Sequence, residues 1–201
     1  MLVAALVLLL LTLNLRLGRA GATVLVLFGV VYFAWDMENN GSFKTAVMDV
    51  DEANFEEIVR VNTWGVIVCT QEAAKQMIAQ GSGGKIINTG SIASRQGFWD
   101  FVPYCVAKFG TLAVTQATAR GLIEHGITVN AFAPGVVDTP MWVGLNEDIR
   151  AIHGQLDEAD PMREFAGGTL IGRPAHPSEL APFLVYLASA ESDYMTASVP
   201  S

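Results

Sequence analysis

The sequence predicts an α/β fold in which helices cover both faces of a parallel sheet. Long stretches of helical periodicity alternate with apolar runs that are too short for helices, and glycine separates most of them. The helical stretches are residues 52–80 and 103–124, and the apolar runs after them are residues 86–87 and 127–132. This alternation is typical of parallel strands joined by crossover helices.

The composition is that of one globular domain. The chain has 201 residues, of which 51% are hydrophobic and 16% are charged, so it is long and apolar enough to bury a core. The net charge of −8 and the lack of a basic patch argue against a nucleic-acid partner. Cys69 and Cys105 lie in apolar helical stretches without metal-ligand spacing. We therefore expect reduced structural thiols, no metal site and a cytoplasmic protein.

Residues 1–35 form an apolar segment whose role the sequence leaves open. Neither of its apolar runs reaches the roughly 18 residues expected of a membrane helix, and no basic residue precedes Arg16 as in a signal peptide. The segment is compatible with a membrane anchor or hairpin, with strand and helix material of a shortened sheet domain, or with a stretch without evolved role from an altered gene start. Residues 21–26 look like a buried strand and favour the second interpretation for that part. Residues 36–201 then form one partial domain.

Residues 52–80 are predicted to form one long helix. Asp49 or Asp51 can cap its start, and Gly81 ends it. Its apolar stripe at helical spacing consists of Phe55, Ile58, Val59, Val66, Ala73, Met77 and Ile78. Asn62 lies inside this helix, where an amide is mildly unfavourable, so it is either a satisfied structural residue or a functional one.

The segment from residue 85 to residue 108 carries the candidate chemistry. Ser91 follows the apolar strand, and after a polar loop Pro103 is placed as in the first turn of a helix. Tyr104 and Lys108 are four residues apart and share a face of that helix. A phenol titrates near about 10 and a nearby ammonium favours its ionised form, so Tyr104 is a candidate proton donor and acceptor near neutral pH. A Tyr–Lys pair alone usually lies on a solvent-exposed helix face without a catalytic role. The order strand, Ser, loop, Tyr-x-x-x-Lys is a far more specific indication of a catalytic site.

The second half of the chain continues the alternation. Pro134 and Gly135 follow the strand over residues 127–132, at the sheet edge where α/β proteins bind ligands. Residues 140–173 form a mixed insertion whose length and aromatic content suit a substrate lid. The prominent apolar side chains of this insertion are Met141, Trp142, Met162 and Phe165. Residues 177–188 are predicted to form the last helix.

With Ser91, Tyr104 and Lys108 in this order, the chain resembles the short-chain dehydrogenase/reductase family. The resemblance covers residues 45 to about 197 and implies a three-layer Rossmann-like parallel sheet, incomplete in its N-terminal half. Phrases such as Val-Pro-Tyr-Cys-Val-Ala-Lys and Ala-Pro-Gly-Val-Val-Asp-Thr-Pro-Met-Trp are similar to the branch of polyol (sorbitol-type) and acetoin/butanediol dehydrogenases.

The resemblance implies an NAD(P)-dependent oxidoreductase that interconverts a secondary alcohol, either a polyol or a diol, with a ketone. By the same resemblance, Tyr104 would transfer the proton. Lys108 would lower the pKa of Tyr104 and bind the ribose of NAD or NADP. Ser91 would orient the carbonyl group, and Asn62 would hold a water molecule of the proton relay.

The resemblance also implies a binding segment for the nicotinamide ring. Pro134, Gly135, Val137 and Thr139 match the family's Pro-Gly-x-x-x-Thr, which holds the nicotinamide through the backbone near Val137 and the hydroxyl of Thr139. The expected ligands are therefore NAD or NADP and a small alcohol or carbonyl compound.

One departure from the family pattern leads to an alternative. The glycine turn Gly-x-x-x-Gly-x-Gly that cradles the cofactor pyrophosphate does not occur in these 201 residues. The alternative to an enzyme is therefore a truncated, non-catalytic dehydrogenase-like protein without the phosphate cradle.

The apolar residues of the two long helices predict a homodimer. Trp64, Ile67 and Val68 on the first helix and Phe109, Leu112, Val114 and Leu122 on the second spread beyond one face. A single sheet face does not bury all of them, and large exposed apolar patches usually mark interfaces. Two-fold pairing is the commonest symmetry.

Overall fold

The computed structural model of the chain describes residues 24–25, 47–140, 142, 145–146, 149 and 160–200. Within these residues, three parallel strands lie side by side in the order β1-β2-β3. Their bounds are Val24–Leu25 for β1, Gly84–Thr89 for β2 and Ile127–Phe132 for β3. β2 and β3 pair along their whole length, from Gly84 opposite Ile127 to Thr89 opposite Phe132.

Five α-helices have both ends within the described part of the chain. They are α1 (Glu52–Val59), α2 (Gly65–Gln80), α3 (Val102–Leu122), α4 (Pro161–Gly167) and α5 (Pro177–Ala188). A π-helical turn, Arg60–Trp64, joins α1 to α2 without a break. The helix predicted over residues 52–80 is therefore continuous but contains one turn of wider winding.

Helices cover both faces of the sheet. Neighbouring residues of a strand point to opposite faces of the sheet. Ile86 and Ile87 of β2 therefore lie on opposite faces. Ile86 packs with Met77 of α2 and Val129 of β3 in one core cluster. Ile87 packs with Leu187 of α5 in another. This three-layer arrangement confirms the predicted fold class.

The helix ends lie close to where the sequence predicts them. Asp51 caps α1, because its carboxylate accepts a hydrogen bond from the backbone N–H of Asn54 at 2.9 Å. Gly81 ends α2 with φ of 69°, in the left-handed region that favours glycine. His176 begins α5, where its ring nitrogen accepts from the backbone N–H of Ser178 at 3.3 Å.

The last described residues continue the sheet beyond β3. The N–H of Ala197 donates to the carbonyl of Val129 at 2.8 Å, and the N–H of Ala131 donates to the carbonyl of Ser198 at 2.9 Å. Residue numbers rise in the same direction on both sides, so this contact is parallel. The buried ammonium of Lys85 on β2 lies 2.7 Å from a carboxylate oxygen of Asp193, which helps to hold this part of the chain on the sheet.

Residues 1–23 and 26–46 lie outside the described residues. The domain boundary predicted near residue 35 and most of the apolar segment before it are among them. Val24–Leu25 pair with β2, which confirms a strand within residues 21–26. In the part of the chain that the structure describes, no helix is both long and apolar enough to cross a bilayer.

Candidate active site

The structure brings Ser91, Tyr104 and Lys108 together at the carboxyl end of β2. The hydroxyl groups of Ser91 and Tyr104 are joined by a hydrogen bond. The ammonium nitrogen of Lys108 lies 5.6 Å from the centre of the Tyr104 ring and donates to the backbone carbonyl of Thr89 at 3.2 Å. The helical spacing of Tyr104 and Lys108 and the position of Ser91 after the strand therefore converge on one place, as the sequence predicts.

The local backbone fixes Ser91 in this place. Ser91 is the N-cap of a short 3₁₀ turn, Ile92–Ser94, and its Oγ accepts from the backbone N–H of Ala93 at 3.2 Å. Its own backbone N–H donates to Oγ of Ser94 at 3.0 Å. The preceding Gly90 donates its N–H to the carbonyl of Phe132 at 2.8 Å, which ties the turn to the end of β3.

Burial sets the protonation of Tyr104 and Lys108. Burial raises the pKa of Tyr104 to about 12, and the hydrogen bond from Ser91 only partly opposes this. Burial lowers the pKa of Lys108 to about 8. The expectation that Lys108 lowers the pKa of Tyr104 stays a prediction, because the dominant influence on this phenol in the structure is its removal from water, which raises the pKa. At neutral pH Tyr104 keeps its proton and is a proton donor.

Asn62 lies within the π-helical turn and is 2% exposed. Its amide nitrogen donates to the carbonyl of Ile58 at 3.2 Å, whereas its side-chain oxygen is buried without a hydrogen-bond partner. Its backbone carbonyl accepts from the hydroxyl of Thr111 at 3.2 Å, which places it against α3 one turn beyond Lys108. Single π-helical turns are frequent at functional sites, and no sequence signal predicts this one.

The segment predicted to hold the nicotinamide lies at the same sheet edge. The carbonyl of Pro134 accepts from the backbone N–H of Ile92 at 3.0 Å, which places it beside the Ser91 turn. Val137 forms an isolated parallel β-bridge with Ala175. The two hydrogen bonds of this bridge join Ala175 to Val136 and Asp138, the residues on either side of Val137. The peptide groups of Val137 itself take no part in that bridge.

Gly135 and Thr139 complete this segment. Gly135 lines a cavity of about 110 Å³ together with Ser91 and Tyr104. A side-chain carbon added at Gly135 would meet no atom within 4 Å, so the backbone here stands open. Thr139 is half-buried and its carbonyl accepts from the backbone N–H of Trp142 at 3.1 Å, which links the segment to the insertion.

Side chains from three separate segments form the rest of the cavity wall. Those of largest size are Phe98, Phe101, Trp142, Leu145 and Phe165. The sequence identifies Trp142 and Phe165 as part of a candidate lid, but it does not connect Phe98 and Phe101 with the site. The aromatic content of residues 98–101, Phe-Trp-Asp-Phe, is the signal that could have done so.

Comparison with known proteins gives the class of this chain. A family model described as enoyl-(acyl carrier protein) reductase matches residues 33–200. A diacetyl reductase [(S)-acetoin forming] of Staphylococcus epidermidis is 35% identical over 76% of this chain and 59% of its own length. A sorbitol dehydrogenase of Cereibacter sphaeroides is 34% identical over 75% of this chain and 59% of its own length.

Solved structures agree with the sequence relatives. The crystal structure of an acetoin dehydrogenase from Salmonella typhimurium superimposes with a TM-score of 0.64 at 30% identity, covering 78% of this chain and 56% of the other. The fold is a Rossmann-like parallel sheet with helices on both faces. The chain belongs to the short-chain dehydrogenase/reductase family, and it spans about 59% of the length of the curated relatives named above.

Proposed function

We propose that this chain carries the reaction site of an NAD(P)-dependent oxidoreductase that interconverts a secondary alcohol and a ketone. The observation that carries the proposal is the group of Ser91, Tyr104 and Lys108, which the fold assembles beside a cavity at the carboxyl edge of the sheet. The names of the relatives, a diacetyl reductase and a sorbitol dehydrogenase among them, describe the same class of reaction.

Each residue has a role that its surroundings support. The protonated phenol of Tyr104 donates its proton to the carbonyl oxygen of the ketone, and the hydroxyl of Ser91 gives that oxygen a second hydrogen bond. Lys108 lies below the Tyr104 ring and is a donor for the cofactor ribose. The unpaired side-chain oxygen of Asn62 is a site for the water molecule of a proton relay. A bound nicotinamide supplies the hydride.

The segment after β3 supports the cofactor assignment. Pro134 and Gly135 lie beside the Ser91 turn, and the peptide groups of Val137 are not used by its bridge to Ala175. Backbone groups of this kind suit the carboxamide of nicotinamide, with the hydroxyl of Thr139 as a further partner. The residues present therefore fit the nicotinamide end of NAD or NADP.

The proposal is tested by cofactor binding and by turnover with the purified chain. Calorimetric titration with NADH and with NADPH should show micromolar binding of one of them, and the chain should oxidise that cofactor when a ketone or dione is added. Tyr104→Phe should lose turnover and keep binding. The matched control is Tyr186→Phe, since the Tyr186 hydroxyl contacts the sulfur of Met195 outside the site.

A non-catalytic dehydrogenase-like protein is the second candidate. The observation that favours it is the absence of the pyrophosphate-binding glycine turn from the 201 residues. Under this alternative the folded chain binds neither NADH nor NADPH in the calorimeter, and no carbonyl compound causes oxidation of either.

We further propose that the chain forms a homodimer through α3 and the π-helical turn. Trp64 is 57% exposed, and Val106 and Phe109 of α3 are 48% and 43% exposed. The sequence also predicts that Leu112 and Leu122 belong to this exposed apolar surface. In the structure both pack against core clusters instead, so the exposed apolar surface is smaller than predicted. Light scattering at tens of micromolar should give the dimer mass, and a monomer mass would reject the pairing.

A cytoplasmic location is proposed from the thiols. Cys69 and Cys105 are both free and buried, which suits a reducing compartment. Recovery of the chain in the membrane pellet after carbonate extraction of cells would contradict this location.

A further inference from the structure

Four residues at helical spacing form a stripe along one face of α3. Tyr104 and Lys108 begin the stripe, and Thr111 and Thr115 continue it, seven and eleven residues after Tyr104. Lys108 is 3% exposed, and both threonines are completely buried. The threonine hydroxyls therefore need hydrogen-bond partners within the protein, and these partners connect the proposed reaction site with the rest of the fold.

The hydroxyl of Thr111 lies near two carbonyl groups. It is 3.2 Å from the carbonyl oxygen of Asn62 and 3.3 Å from that of Ala107. A hydroxyl has one hydrogen to donate, and a carbonyl oxygen has two lone pairs. The carbonyl of Ala107 already accepts the hydroxyl of Thr63 at 3.0 Å and, within α3, the backbone N–H of Thr111. The hydroxyl of Thr111 is therefore left to donate to the carbonyl of Asn62.

This bond helps to fix the direction of the Asn62 side chain. The side-chain nitrogen of Asn62 donates to the carbonyl of Ile58 at 3.2 Å, and the backbone carbonyl of Asn62 is held by Thr111. Because the side-chain amide is planar, these two contacts also set the direction of its oxygen. That oxygen is buried and has no hydrogen-bond partner, so it is the acceptor that a buried water molecule would use.

Hydrogen bonds from the sheet hold Thr111 in turn. The hydroxyl of Thr115 donates to the carbonyl of Thr111 at 2.8 Å and accepts from the side-chain nitrogen of Asn88 at 3.0 Å. Asn88 precedes Thr89 on β2, and the carbonyl of Thr89 accepts from the ammonium of Lys108 at 3.2 Å. The π-helical turn and the ammonium of Lys108 are therefore both held by hydrogen bonds that lead to neighbouring residues of one strand.

We infer that Thr111 is a positioning residue for proton transfer, because its hydroxyl holds Asn62 where the side-chain oxygen binds the relay water. The inference rests on the proposed function. In reduction, Tyr104 gives its proton to the ketone oxygen and becomes a phenolate, which recovers one proton from solvent before the next turnover. The water molecule on Asn62 is one carrier of that proton, and it takes a proton from solvent as it gives one up. Thr111 acts on this step through Asn62.

The solvent deuterium isotope effect on kcat tests the role in proton transfer. It is measured in water and in deuterium oxide with a ketone and NADH or NADPH. Thr111→Val removes the hydroxyl, so kcat should fall by about tenfold, the effect of one lost hydrogen bond on a rate, while KM is unchanged. Because proton delivery then limits turnover, the isotope effect should exceed that of the wild type. A lower kcat with the wild-type isotope effect overturns the inference.

Three further variants separate the hydroxyl from packing. Thr111→Ser keeps the hydroxyl and should restore both kcat and the isotope effect, and a loss as large as in Thr111→Val overturns the inference. Thr118→Val is the matched control, since the Thr118 hydroxyl donates within its own helix, to the carbonyl of Val114 at 2.7 Å. It should change neither quantity. Thr111→Ala places no carbon against the Asn62 carbonyl and takes the place of Thr111→Val if that variant does not fold.

Hydrogen exchange tests the structural step without substrate or cofactor. In Thr111→Val the backbone amides of residues 58–66 should exchange about tenfold faster than in the wild type, because one hydrogen bond no longer holds the π-helical turn. In Thr118→Val they should exchange at the wild-type rate. Unchanged exchange in Thr111→Val overturns the inference. A double-mutant cycle adds the link to Asn62, since Thr111→Val should cause no further loss of kcat in Asn62→Ala, and additive losses overturn action through Asn62.

These readouts separate the inference from the proposed function. Turnover by the wild type, together with an unaltered isotope effect in Thr111→Val, rejects the role of Thr111 and leaves the oxidoreductase intact. A wild-type chain that oxidises neither NADH nor NADPH rejects the oxidoreductase and, with it, the role of Thr111 in proton transfer, even where hydrogen exchange shows that Thr111 holds the turn.

Discussion

We predict that alanine in place of Gly110 of α3 costs stability, because Thr63 of the π-helical turn packs against this glycine. A side-chain carbon added at Gly110 would lie 2.9 Å from both Cγ2 and Oγ1 of Thr63. Thr63 is β-branched, and its hydroxyl donates to the carbonyl of Ala107 at 3.0 Å, so it has little freedom to turn away. The Gly110→Ala methyl group therefore has to push the two helices apart.

Gly121 of the same helix gives a matched control for the magnitude. A carbon added there would meet no atom within 4 Å. Gly→Ala in a helix stabilises by about 0.5–1 kcal/mol, a gain that both variants share. Overpacking costs about 1–3 kcal/mol and applies to Gly110→Ala alone. Since the shared gain cancels, the free energy of unfolding should be about 1–3 kcal/mol lower in Gly110→Ala than in Gly121→Ala.

Urea denaturation measures this difference directly, provided that both variants keep the same m-value. The contact also holds the turn that contains Asn62, whose carbonyl accepts from Thr111 one residue beyond Gly110. Gly110→Ala should therefore reduce turnover as well, while Gly121→Ala leaves it unchanged. Equal free energies of unfolding in the two variants would refute the packing argument.

Two further variants probe buried polar groups. Lys108→Met should be more stable than the wild type at pH 7, because burial lowers the pKa of Lys108 to about 8 from its usual 10.5 and folding therefore buries a charge below pH 8. This advantage, about 1–3 kcal/mol, should shrink as the pH rises from 8 to 10.5, which urea denaturation at several pH values would show. In Asn130→Ala, the carbonyl of Met195 and the N–H of Ser198 lose their partners. Its free energy of unfolding should fall by about 2–4 kcal/mol, whereas an unchanged value would contradict the role of Asn130 in holding the C-terminal residues on β3.

The regular elements of the fold could be predicted because they depend on local patterns. The helix over residues 177–188 has its proline and cap at the start and an apolar inner face, and the structure has the same bounds. The strand over residues 127–132 is a short apolar run after a glycine, and it too has the predicted bounds. The order of Ser91, Tyr104 and Lys108 along the chain was enough to predict that they lie together. Ser91 follows a strand, and Tyr104 and Lys108 lie on the helix after the next turn, so all three are expected at the carboxyl edge of the sheet.

Other features of the site depend on contacts that no local pattern carries. The π-helical turn around Asn62 differs from an α-helix by a shift of hydrogen bonding that leaves no trace in apolar periodicity. Phe98, Leu145 and Phe165 meet only in the tertiary structure. The sign of the pKa shift of Tyr104 depends on how much water the fold removes from the phenol, and this is a property of the whole environment.

Deuterium transfer is the most direct measurement of the central claim, that Ser91, Tyr104 and Lys108 form a site for hydride transfer to a carbonyl. Butane-2,3-dione is incubated with the chain and with NADH or NADPH deuterated at the transferable position. Mass spectrometry of the product should show one deuterium on the new carbinol carbon, and Tyr104→Phe with an unchanged circular-dichroism spectrum should form no product. Product without deuterium, or labelled product at the wild-type rate from Tyr104→Phe, would contradict the account.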